Sequence, residues 1–295
     1  MKRTALFAIM LVAAAVCVNA QLLWKISGNG VKSPSYLFGT HHMAPVAVLD
    51  SVPGMAEAVS DAEVLYGELS LEDLTSPATQ QIMMQKMTAP ADSTLDKVFT
   101  AAELAEIDSV FSSLVGMPVS LTGQLNGFKP AMLSTVLLAT VGAKTIPGFN
   151  PAEQLDKTLL QRGLEAGKPV KGLETIEFQS NLLYNSPIAE QAADVLKTIR
   201  VEGGPEKQLL QLNAAYLSGD LDALLALMEN PETGMDAEAA DKMINKRNAA
   251  WVDFLIGMLP TSTMLIVVGA GHLPGPKGVI NGLRKAGFTV EPVTE

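Results

Sequence analysis

Segments typical of β-strands lie at both ends of this chain, and segments typical of helices fill the middle. Residues 22–26 and 35–39 predict two strands joined through a Gly-Asn-Gly turn, which is a hairpin signal. Residues 263–269 form a continuous apolar run of strand length, typical of a strand in the middle of a sheet. Residues 288–293 predict a final strand. We therefore expect the two ends to meet in one sheet.

The middle of the chain predicts mainly helices, with approximate 3.6-residue spacing of leucine and methionine. Two further strands are expected over 63–69 and 169–173. Helices are predicted over 52–61, 71–87, 101–114, 130–143, 151–166, 175–184, 187–201, 205–218, 221–228, 237–259 and 275–286. The expected fold class is α+β, with a mixed central sheet formed by the N- and C-terminal segments and a large helical insertion over about 71–260. We favour one domain, over 21–295, rather than two.

The first twenty residues have the pattern of a signal peptide. Lys2 and Arg3 precede an apolar run over 6–16 that is too short to span a bilayer. Small or apolar residues before Gln21 predict cleavage at that point. A retained membrane anchor is the alternative. We expect an exported protein, periplasmic or secreted, with no stable membrane span after cleavage.

Composition excludes several classes of function. The single cysteine, Cys17, lies inside the predicted signal peptide, so the mature chain would have no disulfide, thiol nucleophile or thiolate metal site. The formal net charge is −10 and becomes about −12 when Lys2 and Arg3 are removed. Because no basic patch is present to follow a phosphate backbone, we expect no nucleic-acid partner. The sequence leaves the oligomeric state open.

All three histidines of the chain occur in two Gly-x-x-His frames, one near each end. The first frame runs from Gly39 to His42, and the second from Gly269 to His272. Each follows a predicted strand, and loops at strand ends are where sheets carry their sites. A lone histidine is more often structural, but two in one frame favour a shared site. His41 is adjacent to His42, and on an extended segment their side chains point to opposite faces.

Four polar residues lie near the same expected site. Glu68 occupies an otherwise apolar strand, where a carboxylate is costly unless it is paired or binds a metal. The alternative for Glu68 is a solvated position at the strand end. Glu174 ends a short strand, and Arg247 and Asn248 lie on the long late helix. These residues could orient ligands, hold a substrate carbonyl or form an ion pair with only a structural role.

At these residues the chain resembles the TraB/PrgY/GumN family, which includes the Tiki proteases. The matching segments extend over nearly all of the expected mature chain, and the paired histidine frames are their specific part. These segments are LLWKIS…SYLFGTHHM, VLYGELS, GKPVKGLETIEFQ, KRNAAWVDFL and VVGAGHLPGPKGVINGLRKAGFTV. The resemblance implies a metal-dependent hydrolase scaffold related to erythromycin-esterase and ChaN-like proteins. It places the first motif histidine at His42, the second at His272 and the acidic residue at Glu68.

The expected function is that of an exported metal-dependent hydrolase. We favour a peptidase, which would act on a peptide or protein substrate. His42, Glu68 and His272 would hold one divalent ion, either Mn, Co, Zn or Fe. Glu68 could instead be the general base, with Glu174 as the third ligand. Arg247 and Asn248 would orient the substrate or stabilise an oxyanion. The alternative is a non-catalytic protein that binds or sequesters a peptide or small ligand. His41 competes with His42 for the ligand position.

Overall fold

The computed structural model describes residues 21–294. The predicted signal peptide, residues 1–20, lies outside the described residues, as does Glu295. Within the described part of the chain, no helix is both long enough and apolar enough to cross a membrane.

Six strands form one mixed sheet in the order β4-β3-β5-β2-β1-β6. Their bounds are β1 Leu23–Ser27, β2 Ser35–Thr40, β3 Val64–Gly67, β4 Val170–Gly172, β5 Met264–Gly269 and β6 Thr289–Pro292. Strand β1 pairs antiparallel with both β2 and β6, whereas β2, β5, β3 and β4 are mutually parallel neighbours. The predicted meeting of the two chain ends in one sheet is confirmed, and so is the α+β class.

The hairpin at the start of the described chain has the expected turn. Gly28, Asn29 and Gly30 all have positive φ, at 76°, 46° and 82°. Glycine and asparagine adopt this left-handed region at little cost. Trp24 of β1 then pairs with Leu37 of β2, so the turn sets the register of the sheet at this edge.

Fifteen α-helices surround the sheet in the part of the chain from 21 to 294. Their bounds are α1 Met55–Asp61, α2 Leu71–Thr75, α3 Pro77–Met87, α4 Leu95–Val98, α5 Ala101–Val115, α6 Leu121–Gln124, α7 Pro130–Thr145, α8 Leu155–Glu165, α9 Ile176–Tyr184, α10 Ile188–Arg200, α11 Gly204–Ser218, α12 Leu221–Met228, α13 Ala237–Ala240, α14 Lys246–Met258 and α15 Val279–Lys285. Short 3-10 segments cover Val46–Ser51 and Ala270–His272. A π-helical turn, Asp241–Asn245, lies between α13 and α14.

Three predicted helices differ from the structure for local reasons. The helix expected over 71–87 breaks at Ser76, which is extended, caps α3 through its hydroxyl and precedes Pro77. The helix expected from 151 begins instead at Leu155. Asn150 does not cap that helix, because its side chain accepts from the Ala152 amide in a local turn. The helix expected over 237–259 is interrupted by the π-helical turn.

Apolar packing holds the sheet on both faces. Along β5 the buried side chains alternate, with Leu265 and Val267 in one core and Ile266 and Val268 in the other, as expected for a central strand. The helical middle has a third core around α5, α7 and α10. Helix α11 contributes Tyr216 to the sheet core and Leu209 to the helical core, and so connects the two. The assignment of one domain over 21–295 stays a prediction.

Candidate functional site

The carboxyl ends of four parallel strands meet at one edge of the sheet. His41 and His42 follow β2, Glu68 follows β3, Glu174 follows β4 by two residues, and His272 lies in the turn after β5. Side chains at this edge of parallel strands converge, which is why open sheets carry their ligand sites there. Helix α14 supplies two more polar side chains, Arg247 and Asn248, to the same edge.

Arg247 lies at the centre of this cluster, with 6% of its surface exposed. Its Nη2 donates to Glu68 Oε2 at 2.6 Å, and its Nε donates to Glu174 Oε1 at 2.7 Å. A further bond joins Nη2 to Glu174 Oε2 at 2.9 Å, so the Glu174 pair is bidentate. Nη1 donates to the Met243 carbonyl, in the π-helical turn, and lies 3.0 Å from His272 Nε2. One guanidinium thus joins both glutamates to the second histidine frame.

Asn248 determines the orientation of His272. The Asn248 amide nitrogen donates to the carbonyl oxygens of His272 and Lys277, so its Oδ1 is left as an acceptor. That oxygen lies 2.6 Å from His272 Nδ1, which must then carry the proton. The free lone pair of the neutral ring is then on Nε2, and Nε2 accepts a hydrogen bond from Arg247. His272 is 4% exposed, and its ring centroid lies 4.5 Å from that of Trp251.

The charges of the cluster keep Glu68 ionised and His272 neutral. Burial raises the pKa of Glu68, but Arg247, the Gly269 N–H and His272, which is protonated in the acid range where Glu68 titrates, outweigh it and hold that pKa at about 2. Burial, opposed by Glu68 and assisted by Arg247, lowers the pKa of His272 to about 4. Two carboxylates therefore face one guanidinium, with a formal excess of one negative charge. Since burying an unpaired charge is costly, the cluster favours a cationic ligand.

Two further residues complete the cluster. Gln179 of α9 donates from Nε2 to Glu68 Oε2 at 3.0 Å and lies 3.5 Å from Glu174 Oε2. Trp251, one turn after Arg247 on α14, lies under the guanidinium at 4.8 Å. Sequence reasoning did not name either as a site residue. The i, i+4 spacing of Arg247 and Trp251 was the available signal, because it places them on one helix face.

The first histidine frame has different surroundings. The His42 side chain is 56% exposed, and its Nδ1 lies 4.0 Å from Asp156 Oδ1 on α8. His41 points inward, with its ring centroid 5.3 Å from that of Tyr216, whose hydroxyl donates to the Gly39 carbonyl. His42 charge is among the causes that lower the pKa of both Glu68 and His272. His42 is thus the histidine of this frame that acts electrostatically on the cluster.

The glycines of the two frames allow the frames to pack together. Because β2 and β5 are parallel neighbours, Thr40 pairs with Gly269. A Cβ on Gly39 would lie 2.7 Å from Leu273 Cδ1, and one on Gly269 would lie 3.3 Å from Glu68 Oε1. The φ values of both glycines lie outside the left-handed region, so these positions require glycine for close approach rather than for a special backbone conformation.

The described side chains do not fit the expected three-ligand metal set as they stand. Glu68 Oε1 and His272 Nε2 are 3.9 Å apart, but Arg247 bonds to both residues and His42 faces Asp156. Over residues 21–294 no group of three or more His, Cys, Asp or Glu side chains is placed to hold a metal ion. The ligand assignment to His42, Glu68 and His272 stays a prediction.

Comparison with known proteins identifies the family. The profile of the TraB/PrgY/gumN family matches residues 22–292. The chain belongs to this family. It is 23% identical over 319 residues to the metalloprotease TIKI1 of Danio rerio, and 23% identical over 322 residues to a metalloprotease TIKI homolog of Amphimedon queenslandica. Each alignment covers 91% of this chain but only 62% and 60% of the two relatives. No solved structure matches the chain.

Proposed function

We propose that this member of the TraB/PrgY/gumN family is an exported hydrolase that cleaves peptide or protein substrates. The observation that carries the proposal is the buried cluster of Arg247, Glu68, Glu174 and His272 at the carboxyl edge of the parallel strands. The two relatives are metalloproteases by name, which supports the reaction class. Because the identity is low and the relatives are longer than this chain, its substrate and its reaction are proposals.

The chemistry of the cluster gives each residue a separate task. His272 is neutral near pH 7 because its pKa is about 4. Its Nε2 lone pair accepts from Arg247, and it can take a proton from an attacking water once Arg247 turns to the substrate instead. Arg247 can hold negative charge that develops on a substrate carbonyl oxygen. Glu68, with a pKa of about 2, is a weak base. Its charge, together with that of Glu174, instead favours holding a cation.

Peptide hydrolysis by the purified protein tests this proposal. His272→Ala is expected to lower kcat by about 10²- to 10⁴-fold, the usual contribution of a positioned acid or base. Lys246→Ala is the matched control, because Lys246 precedes Arg247 but its side chain is 76% exposed and pairs with Asp241. The control should keep the activity. Full activity in a His42→Ala, His272→Ala double variant would refute the proposal.

A separate measurement tests the metal requirement that the sequence led us to expect. The relatives' names favour a divalent ion, whereas the contacts of Arg247 and the position of His42 do not. By elemental analysis of protein purified without chelator, a stoichiometric divalent metal that is lost in His272→Ala would support a metal-dependent reaction. Active protein without such a metal would restrict the proposal to hydrolysis by the side chains alone.

A non-catalytic binding protein is the second candidate. It is favoured by the fact that Arg247, Glu68, Glu174 and His272 already satisfy one another, which leaves no activated nucleophile in the described arrangement. Exposed methionines of the helical middle, Met84 and Met117, suit an adaptable binding surface. Turnover separates the two functions. A bound peptide recovered intact after long incubation with excess Mn²⁺ would favour binding.

A further inference from the structure

Two polar atoms beside the first histidine frame are buried without a hydrogen-bond partner. They are Asp156 Oδ1 and His41 Nε2, two of only four such side-chain atoms over residues 21–294. Buried polar groups are nearly always satisfied, and each exception requires an explanation. Both lie near Tyr216, since His41 packs on its ring and the charge of Asp156 acts on its hydroxyl. The unsatisfied atoms therefore belong to one neighbourhood.

The position of Asp156 is fixed by its helix, whereas the His42 side chain is largely exposed. Asp156 is the second residue of α8, and the neighbouring Leu155 and Leu159 of that helix are fully buried. Its carboxylate is 21% exposed, and the only basic group within 4.0 Å of it in the described chain is His42 Nδ1. The His42 side chain is 56% exposed. A small rotation of this exposed ring would close the 4.0 Å gap to hydrogen-bond length.

The second frame already uses the equivalent arrangement. His272 Nδ1 is held by an oxygen of Asn248 at 2.6 Å, which leaves Nε2 as the lone pair at the cluster. Histidines at reactive sites commonly have the other ring nitrogen held by a carboxylate or carbonyl oxygen. An oxygen facing Nδ1 in each frame is therefore a feature shared by the two frames.

We propose that Asp156 is a positioning residue for His42: its Oδ1 accepts the Nδ1–H of His42, leaving Nε2 of that ring as the reactive lone pair. The role of Nε2 in the reaction rests on the proposed function, but the hydrogen bond does not. Asp156 also lies in the first turn of α8, where a carboxylate interacts favourably with the helix dipole. That purely structural role predicts no effect on the protonation of a histidine ring.

Nitrogen-15 NMR of the three imidazole rings tests the proposal without requiring activity. Spectra are recorded well above the ordinary imidazole pKa of about 6.5, and His41→Gln and His42→Gln assign the signals. In the unsubstituted protein His42 should carry its proton on Nδ1. In Asp156→Ala, which leaves no acceptor at this position, the His42 signals should move towards the Nε2–H form, while those of His272 stay unchanged. Asp156→Glu should restore the Nδ1–H form at least in part.

Kinetics and a matched variant complete the experiment. Asp156→Ala should lower kcat for peptide cleavage by about 10- to 100-fold, with little change in KM. Glu153→Gln, which removes an exposed carboxylate just before α8, should change neither kcat nor the spectra. A tautomer shift in a protein that cleaves no peptide would support Asp156 as the partner of His42 and refute the hydrolase.

Two results would overturn the assignment to Asp156. One is His42 in the Nε2–H form in the unsubstituted protein, a result that needs no variant to fold. The other is an Asp156→Ala spectrum in which the His41 signals move and the His42 signals do not, because Asp156 would then be the partner of the buried ring.

Discussion

The loops after β2 and β5 share one sequence frame but place their histidines in opposite environments. His272 is 4% exposed and has partners on both ring nitrogens. His42 occupies the same position of its frame, yet its side chain is 56% exposed and its closest acidic partner is 4.0 Å away. His42 and His272 follow parallel neighbouring strands by two and three residues, which gives them similar places in the topology. Their chemistry is set by what packs against each loop.

The packing partners explain the difference. Helix α14 lies against the β5 loop and brings Arg247, Asn248 and Trp251 to His272. The β2 loop meets α8 and α11 instead, and these bring Asp156 and Tyr216. One loop is thus held by polar bonds and the other mainly by the inward ring of His41. We expect the first loop to be rigid and sensitive to substitution, and the second to tolerate it.

The largest effect is expected from removing the guanidinium that organises the β5 loop. Arg247→Ala leaves Glu68 and Glu174 buried without their partner, and breaking a buried ion pair in this way costs about 3–5 kcal/mol. Urea unfolding measures the loss. Arg162→Ala is the control. Arg162 Nη1 lies 2.8 Å from Asp50 Oδ1, but the two side chains are 41% and 68% exposed. This exposed pair should contribute less than about 1 kcal/mol to the free energy of unfolding. Equal losses in the two variants would show that burial does not strengthen the Arg247 network.

The next largest effect is expected when the histidine of each frame is removed in turn and the losses in the free energy of unfolding are compared. His272→Ala removes a buried ring and leaves Asn248 Oδ1 without its donor, which should lower the free energy of unfolding by about 1–3 kcal/mol. His42→Ala alters an exposed side chain and should stay within about 0.5 kcal/mol. If the proposed function holds, both variants lose activity. A His42→Ala protein as unstable as His272→Ala would contradict the difference between the loops.

The sequence predicted the topology of the site better than its contacts. Strand positions could be read from apolar runs, and their carboxyl ends located His42, Glu68, Glu174 and His272 on one edge. Arg247 and Asn248 were predicted as neighbours from the late helix. The residues at strand ends come together because the carboxyl ends of parallel strands meet at one edge of the sheet, and the roles assigned to all six residues stay predictions.

The sequence carries no comparable signal for contacts between elements that are far apart along the chain. The pairing of Asp156 with the first frame depends on where α8 begins, and the expected start at 151 was four residues early. The π-helical turn, which places the Met243 carbonyl on Arg247, breaks a helix that periodicity predicts as continuous. Both features result from tertiary packing overriding local propensity.

The smallest effect is expected from substituting His41, and it distinguishes this residue from the adjacent His42. His41→Phe keeps an aromatic ring against Tyr216 and removes the buried Nε2 that has no partner. Replacing an unsatisfied polar group with an apolar one of similar shape is close to neutral or stabilising. Near pH 7 the free energy of unfolding should therefore stay the same or rise by up to about 1 kcal/mol.

The pH dependence of the same variant gives a sharper test. Burial, assisted by the neighbouring His42, holds the pKa of His41 at about 4, below the value of about 6.5 expected in the unfolded chain. As the pH falls, the unfolded state takes up this proton first, so stability present above about pH 6.5 is lost towards pH 4. His41→Phe removes that contribution, and urea unfolding at about pH 7 and about pH 5 should show a smaller loss than in the unsubstituted protein. His42→Phe is the matched control and should reduce the loss only slightly, because burial is the larger cause of the lowered His41 pKa. If His42→Phe flattened the pH dependence and His41→Phe did not, the inward and outward positions of the two rings would have to be exchanged.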